Sequence, residues 1–157
     1  MKISILLPYK ENFSPTYAGA VSLNINETLK ISKYRNNATV FGNTEYKNKF
    51  KHKYINIPLK KIIFQSQNKR YVEEFVKLEK KKNSDLIELH NRPIYLTYLT
   101  NKLKNKTYIL YFHNDPLTMS GSKSIQERIF LLKNCFKIIF NSNWSKRRFL
   151  EGMKSDY

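Results

Sequence analysis

The chain has 157 residues, of which 41% are hydrophobic and 14% aromatic, so it can bury the core of one domain and is not disordered in bulk. Its 29 Lys and Arg residues against 12 acidic ones give a net charge of +17. That charge favours an anionic partner such as nucleic acid, an acidic lipid surface or a phosphorylated substrate. A composition biased towards Lys, Asn, Ile and Tyr could produce the same charge without any binding role. The single cysteine, Cys135, excludes a disulfide framework, and we expect it to be a small buried hydrophobe.

No apolar run approaches the roughly 20 residues that cross a bilayer, and the first residues lack a signal-peptide pattern. We therefore expect a soluble cytoplasmic protein. Contact between its Lys-rich segments and the inner face of the membrane is an open alternative.

Six apolar runs predict β-strands. Several are continuous rather than alternating, which is typical of parallel strands covered on both faces. The predicted strands are residues 3–9, 38–42, 54–58, 86–91, 108–114 and 137–143.

Helical spacing appears between most of these runs, but not between the second and third. Ser124 and Glu127 fit a capping box, and a last helix should be capped by Ser142 or Asn143 and end near Gly152. The predicted apolar stripes are Val21, Ile25, Thr28 and Leu29; Tyr71, Val72, Phe75, Val76 and Leu78; Ile94, Tyr95, Tyr98, Leu99 and Leu103; and Ile125, Ile129, Leu132 and Phe136.

Strands that alternate with helices predict a single α/β domain over residues 1–157, with a doubly wound, Rossmann-like parallel sheet in three layers. Ligands of such folds bind beyond the carboxyl ends of the strands, where the strand order reverses. With the common order 3-2-1-4-5-6, the loops after the first, fourth and fifth strands would share one crevice.

Two of these strands end in the same way, in "LIELHNRP" and "YILYFHNDP". Histidine at a strand end can hydrogen-bond a ligand through one ring nitrogen while the protein fixes the other. His113 is therefore the strongest candidate, and Asn114 and Asp115 follow it. The alternative is a plain turn, because Asn, Asp and Pro are common turn residues.

The second strand end supplies His90, Asn91 and Arg92. The guanidinium of Arg92 could clamp a phosphate or carboxylate, although a solvated loop residue is an equally good interpretation. A metal site formed by His90, His113 and Asp115 is only weakly indicated, because no compact ligand motif is present. We expect neither a metal nor another cofactor.

Two further segments could contact anions. In "YAGAV", Gly19 precedes a helix whose backbone N–H groups could face an anion, although the alternative is a long loop with one flexible position. The basic segment 47–82 mixes Lys with aromatic residues, as nucleic-acid and membrane surfaces do. A core helix with a solvated Lys face explains that segment more simply.

The order "MKISILLPY…YAGAV", "SDLIELHNRP", "KTYILYFHNDP" and "LLKNCFKIIFNSNWSKRRFLEG" resembles the N-terminal domain of family four retaining glycosyltransferases with the GT-B architecture. The similarity is strongest to bacterial enzymes of surface-polysaccharide or lipopolysaccharide biosynthesis and covers essentially the whole chain. The resemblance implies transfer of a sugar from a nucleotide-sugar to a saccharide or lipid-linked acceptor, with retention of anomeric configuration.

Residue roles also follow from the resemblance. His113 matches the histidine that reaches the transferred sugar, and Gly19 matches the loop that approaches donor phosphates and acceptor. The segment from His90 to Arg92 matches a loop with plausible acceptor contacts. Ala18 and Ala20 flank Gly19 where the family commonly has two adjacent glycines.

The resemblance further implies a C-terminal donor-binding domain as the partner of this one, and a chain of this length would be inactive alone. Two alternatives remain open. One is a noncatalytic partner domain, and the other is a basic nucleic-acid-binding module, which would bind oligonucleotides with a steep salt dependence.

Overall fold

A computed structural model describes residues 1–59 and 66–153. Strands and helices alternate in it, except between β2 and β3, which no helix separates. In chain order the elements are β1 (Ile3–Leu6), α1 (Ala20–Ile31), β2 (Ala38–Gly42), β3 (Tyr54–Asn56), α2 (Gln67–Lys82), β4 (Leu86–His90), α3 (Ile94–Lys102), β5 (Thr107–Phe112), a 3-10 turn (Pro116–Thr118), α4 (Ile125–Asn134), β6 (Lys137–Phe140) and α5 (Asn143–Leu150).

The six strands form one sheet in the order β3-β2-β1-β4-β5-β6, and every neighbouring pair is parallel. This confirms the predicted α/β class and the predicted strand order. Except for β2, which matches its prediction, each strand ends before the carboxyl end of its predicted run. After β4 the backbone of Asn91 takes a left-handed φ of 57°, which ends the strand at His90.

The helices cover the two faces unequally. Helix α1 packs its buried face against β1 and β2, which defines the front of the sheet. Helices α2 to α5 pack on the back, in a larger aromatic-rich core. Right-handed crossovers explain this division, because the chain moves one way along the sheet from β1 to β3 and the other way from β3 to β6. The fold is therefore a three-layer, Rossmann-like sandwich.

The capping box at Ser124 and Glu127 is present as predicted, but the apolar stripe assigned to α4 was partly wrong. Phe136 is 76% exposed, whereas Leu131, outside the predicted stripe, is fully buried. Helix α4 ends at Asn134, and the N–H of Phe136 bonds the carbonyl of Tyr108 as the chain enters β6. Phe136 thus belongs to the strand entry, where helical spacing no longer applies.

Cys135 is half-buried against the back core, and burial raises the pKa of its thiol to about 12. That environment fits the predicted apolar role better than a reactive one.

Residues 60–65 of the basic segment lie outside the described part of the chain, and the rest of that segment includes α2.

Among residues 1–59 and 66–153, no helix combines the length and the apolar character that a membrane span requires.

Candidate functional site

The two strand-end histidines meet at the carboxyl edge of the sheet. Nδ1 of His90 lies 3.0 Å from Nε2 of His113, a hydrogen-bond distance. The register of β4 and β5 explains this, because His90 pairs with Tyr111, and His113 follows two residues later on the same face. The three rings stack, with 4.5 Å between the centroids of His90 and Tyr111 and 5.3 Å between those of the two histidines.

The two histidines differ in access. His90 is 3% exposed, so it cannot offer its ring to a ligand as the sequence suggested, and its outward nitrogen is occupied by His113. His113 is half-buried. Burial, with a smaller contribution from His90, lowers the pKa of His113 from 6.5 to about 4. Its imidazole is therefore neutral at pH 7 and can hydrogen-bond without carrying charge.

Asn91 holds the two strand ends together. Its Oδ1 accepts from the backbone N–H of His113 at 3.3 Å, and its own N–H donates to the carbonyl of Tyr111 at 2.8 Å. The side chain of Asn91 is buried, which indicates that it orders the loop. Arg92 is half-buried and donates to the carbonyl of Asn91 at 2.8 Å, so its guanidinium folds back onto the start of the loop that follows β4.

Asn114 and Asp115 are placed differently. Asn114 is exposed just beyond His113, as a ligand-contacting residue would be. Asp115 accepts from the N–H of Leu117 at 3.0 Å and forms an ion pair with Arg148 at 3.2 Å. The carboxylate of Asp115 thus caps the 3-10 turn and attaches it to α5, and these contacts compete with any role in binding substrate.

Gly19 is the N-cap of α1, and an anionic group does lie beside it, but that group belongs to the chain itself. Oε1 of Glu11 accepts from the N–H of Ser22, in the first turn of α1, at 2.9 Å. A Cβ on Gly19 would lie only 2.2 Å from that oxygen. The helix N-terminus is therefore capped by Glu11, and an external phosphate would have to displace this carboxylate.

Three residues at or near this carboxyl edge of the sheet, which we call the rim, were missed by the sequence analysis. Glu11 lies in a loop that carries no motif. Glu88 precedes His90 by two residues on the same face, which strand alternation could have revealed. Asn141 follows β6, and its side chain donates to the carbonyl of His113 at 2.8 Å. The same strand-end rule that found His113 would have found Asn141.

Of the three residues considered as metal ligands, the two histidines meet, but Asp115 does not join them. In the described ranges, no group of three or more His, Cys, Asp or Glu side chains is arranged to hold a metal ion. Asp115 is paired with Arg148, while His90 and His113 are paired with each other.

A separate concave surface lies away from the histidine pair, on the flank of α1. This basic groove has a volume of ≈ 880 Å³ and is lined by Lys30, Arg35, Lys49, Lys51 and Lys53, with no acidic residue among its described lining. Lys30 forms an ion pair with Glu27 at 2.7 Å. For the other four cations, the described residues provide no salt bridge. The groove therefore has an uncompensated positive charge.

A scan against protein-family models and a search of curated proteins each find no match to this chain.

Proposed function

We propose that this chain is the acceptor-side, Rossmann-like domain of a retaining GT-B glycosyltransferase. The enzyme would transfer a sugar from a nucleotide-sugar to a saccharide or lipid-linked acceptor in bacterial polysaccharide or lipopolysaccharide biosynthesis. The main support is that the strand order brings His113 and the loops after β1 and β4 to one edge of the sheet. In doubly wound folds this edge, next to the reversal of strand order, is where ligands bind.

The environment of His113 supports a role in orienting a sugar. Its ring is held by His90, its carbonyl by Asn141 and its N–H by Asn91. A neutral, fixed imidazole can hydrogen-bond a sugar hydroxyl in one direction only, which favours one orientation of the ring being transferred. In this proposal Arg92 and Asn114 contact the substrates from the loops beside His113. A second, C-terminal domain supplies most of the donor site.

The proposal is tested on the protein that contains this chain, with nucleotide-sugars and saccharide acceptors. His113→Ala should lower kcat/KM by about 10- to 100-fold, which is the loss expected from one hydrogen bond to a polar substrate. Asn101→Ala is the control, because Asn101 is an exposed residue of α3 whose side chain, among the described residues, bonds only Thr97 of its own helix. NMR of the product should show retained anomeric configuration. Unchanged turnover in His113→Ala, or an inverted product, would contradict the proposal.

The alternative of a noncatalytic partner domain makes a different prediction. That domain would bind a second polypeptide without needing His113, and His113→Ala would then leave the activity of the assembled complex unchanged.

The basic groove supports a second part of the proposal, contact with an anionic membrane surface at the site of synthesis. The cations line one groove, and clustered lysines near a surface gain roughly 1 kcal/mol each from anionic lipid. Phe50 lines the same groove and adds an apolar contact beside the charges. A lipid-linked acceptor would be presented at such a surface.

Vesicle sedimentation tests this contact at low salt. Vesicles with anionic lipid should bind the protein, whereas zwitterionic vesicles should not. Replacing Lys49, Lys51 and Lys53 with Ser should reduce binding at least tenfold. A matched triple replacement of the exposed Lys80, Lys81 and Lys104, which lie outside the groove, should reduce it much less. Equal losses in the two triple variants would refute the role of the groove, and preferential binding to oligonucleotides would favour the nucleic-acid alternative.

A further inference from the structure

A carboxylate lies on the far side of the histidine pair. Glu88 and His90 are two residues apart in β4, so both side chains point to the front of the sheet. Oε2 of Glu88 lies 3.7 Å from Nε2 of His90, which is close but too long for a direct hydrogen bond. Glu88, His90 and His113 therefore form a row that runs from the front face to the rim.

The inner nitrogen of His90 is in an unusual position. Nε2 is buried and forms no hydrogen bond to any described residue. It faces a cavity of ≈ 90 Å³ that Glu88, Tyr111 and the α1 residue Asn24 also line. A buried polar group without a partner is costly, and the nearby carboxylate is the natural acceptor for a proton on this nitrogen. The cavity is large enough for a water molecule that could bridge the gap.

The negative charge of Glu88 affects the protonation of its neighbours. Burial raises the pKa of Tyr111 to about 12, and the Glu88 carboxylate contributes to the increase. The same carboxylate lies 3.7 Å from Nε2 of His90, so its negative charge also acts on the His90 ring. The carboxylate therefore favours a proton on Nε2 of His90, the nitrogen that faces Glu88, and disfavours a bare lone pair there.

When both imidazoles are neutral, one proton lies in the hydrogen bond between them, and only two arrangements are possible. In the first, His90 has its proton on Nε2, towards Glu88, and its Nδ1 accepts from Nε2–H of His113. In the second, His90 has its proton on Nδ1, and its bare Nε2 faces the carboxylate. The carboxylate repels the second arrangement, so the first is favoured.

We propose that Glu88 is a positioning residue that fixes the tautomer of both histidines, so that His113 presents Nδ1 at the rim as a hydrogen-bond acceptor. Nδ1 of His113 has no hydrogen-bond partner among the described residues and is not one of the buried unpartnered atoms, so it is open to a ligand. The rim would therefore recognise a group that donates a hydrogen bond. If the proposed sugar transfer is correct, on which this last step depends, that group is a hydroxyl of a substrate.

Nitrogen-15 NMR of the imidazole rings at pH 7 tests the proposal, because ring-nitrogen shifts distinguish protonated from bare nitrogens. In the wild-type chain, Nε2 of His113 and Nε2 of His90 should carry the protons. His52, which lies before β3, serves as an internal reference. A proton on Nδ1 of His113 in the wild type would overturn the proposal, and this measurement requires no substitution.

Two variants examine the role of Glu88 itself. Glu88→Lys puts a donor beside His90 Nε2 and should change the tautomer ratio of His113 at least tenfold towards Nδ1–H. Glu88→Gln, which is nearly isosteric, should shift the ratio in the same direction by less. Glu74→Gln on α2, a control on an exposed ion pair, should leave the ratio unchanged. No change in either Glu88 variant would refute the positioning role.

The NMR result and the activity result are separable. A chain with the expected tautomers but no sugar-transfer activity in the two-domain protein would leave the role of Glu88 standing and remove the proposed function. The opposite outcome would keep the function and remove the role of Glu88.

Discussion

The low pKa of His113 should make the stability of the protein depend on pH in a specific window. The ring has a pKa of 6.5 in an unfolded chain and about 4 in the folded one, mainly through burial. Above pH 6.5 the ring is neutral in both states. Between pH 6.5 and about 4 the unfolded chain binds a proton that the folded chain does not, so the free energy of unfolding falls as the pH falls.

The size of this effect follows from the pKa difference. At about 1.36 kcal/mol for each pH unit, the upper limit is roughly 3.4 kcal/mol. Because the ring is only half-buried, solvent screening should reduce the loss to about 1–2 kcal/mol between pH 7 and pH 4. The two rings that face His113, those of His90 and Tyr111, remain in place in a conservative variant.

His113→Gln is such a variant, because its amide can still bond Nδ1 of His90 but does not titrate. Urea unfolding of wild type and variant at pH 7 and pH 4 gives the required comparison. The wild type should lose about 1–2 kcal/mol more than the variant. An NMR titration of His113 provides an independent check, with an expected midpoint near pH 4. A midpoint at or above 6.5, or identical losses in the two proteins, would refute the reasoning.

Three substitutions test the surrounding architecture by urea unfolding at pH 7. Gly19→Ala should cost about 1 kcal/mol, because its Cβ would push the Glu11 carboxylate from the N–H of Ser22, and greater stability would exclude this cap. Asp115→Asn should cost about 1 kcal/mol by removing the ion pair with Arg148, and a higher KM without loss of stability would instead indicate substrate contact. Phe75→Ala should cost roughly 3–5 kcal/mol, because Phe75 is fully buried with its ring 5.1 Å from that of Phe41, and a loss below about 1 kcal/mol would contradict this packing.

The sequence by itself determined the class of the fold and the location of its polar rim. Continuous apolar runs indicate buried parallel strands, and helical spacing indicates the helices between them. Both patterns are visible in the sequence because they are local properties of the chain. The strand ends at His90 and His113 were visible for the same reason. Where the local pattern ended, at the junction of α4 with β6, the prediction for Phe136 was wrong.

Tertiary structure alone decided what each polar residue at that rim can do. The register of β4 against β5 places the buried ring of His90 against His113 and leaves His113 as the accessible member of the pair. Likewise, contacts across the fold cap α1 with Glu11 and pair Asp115 with Arg148. These partners lie 11 to 33 residues apart in the chain, so no local pattern encodes them. They depend on how the strands and helices pack, which is a property of the whole domain.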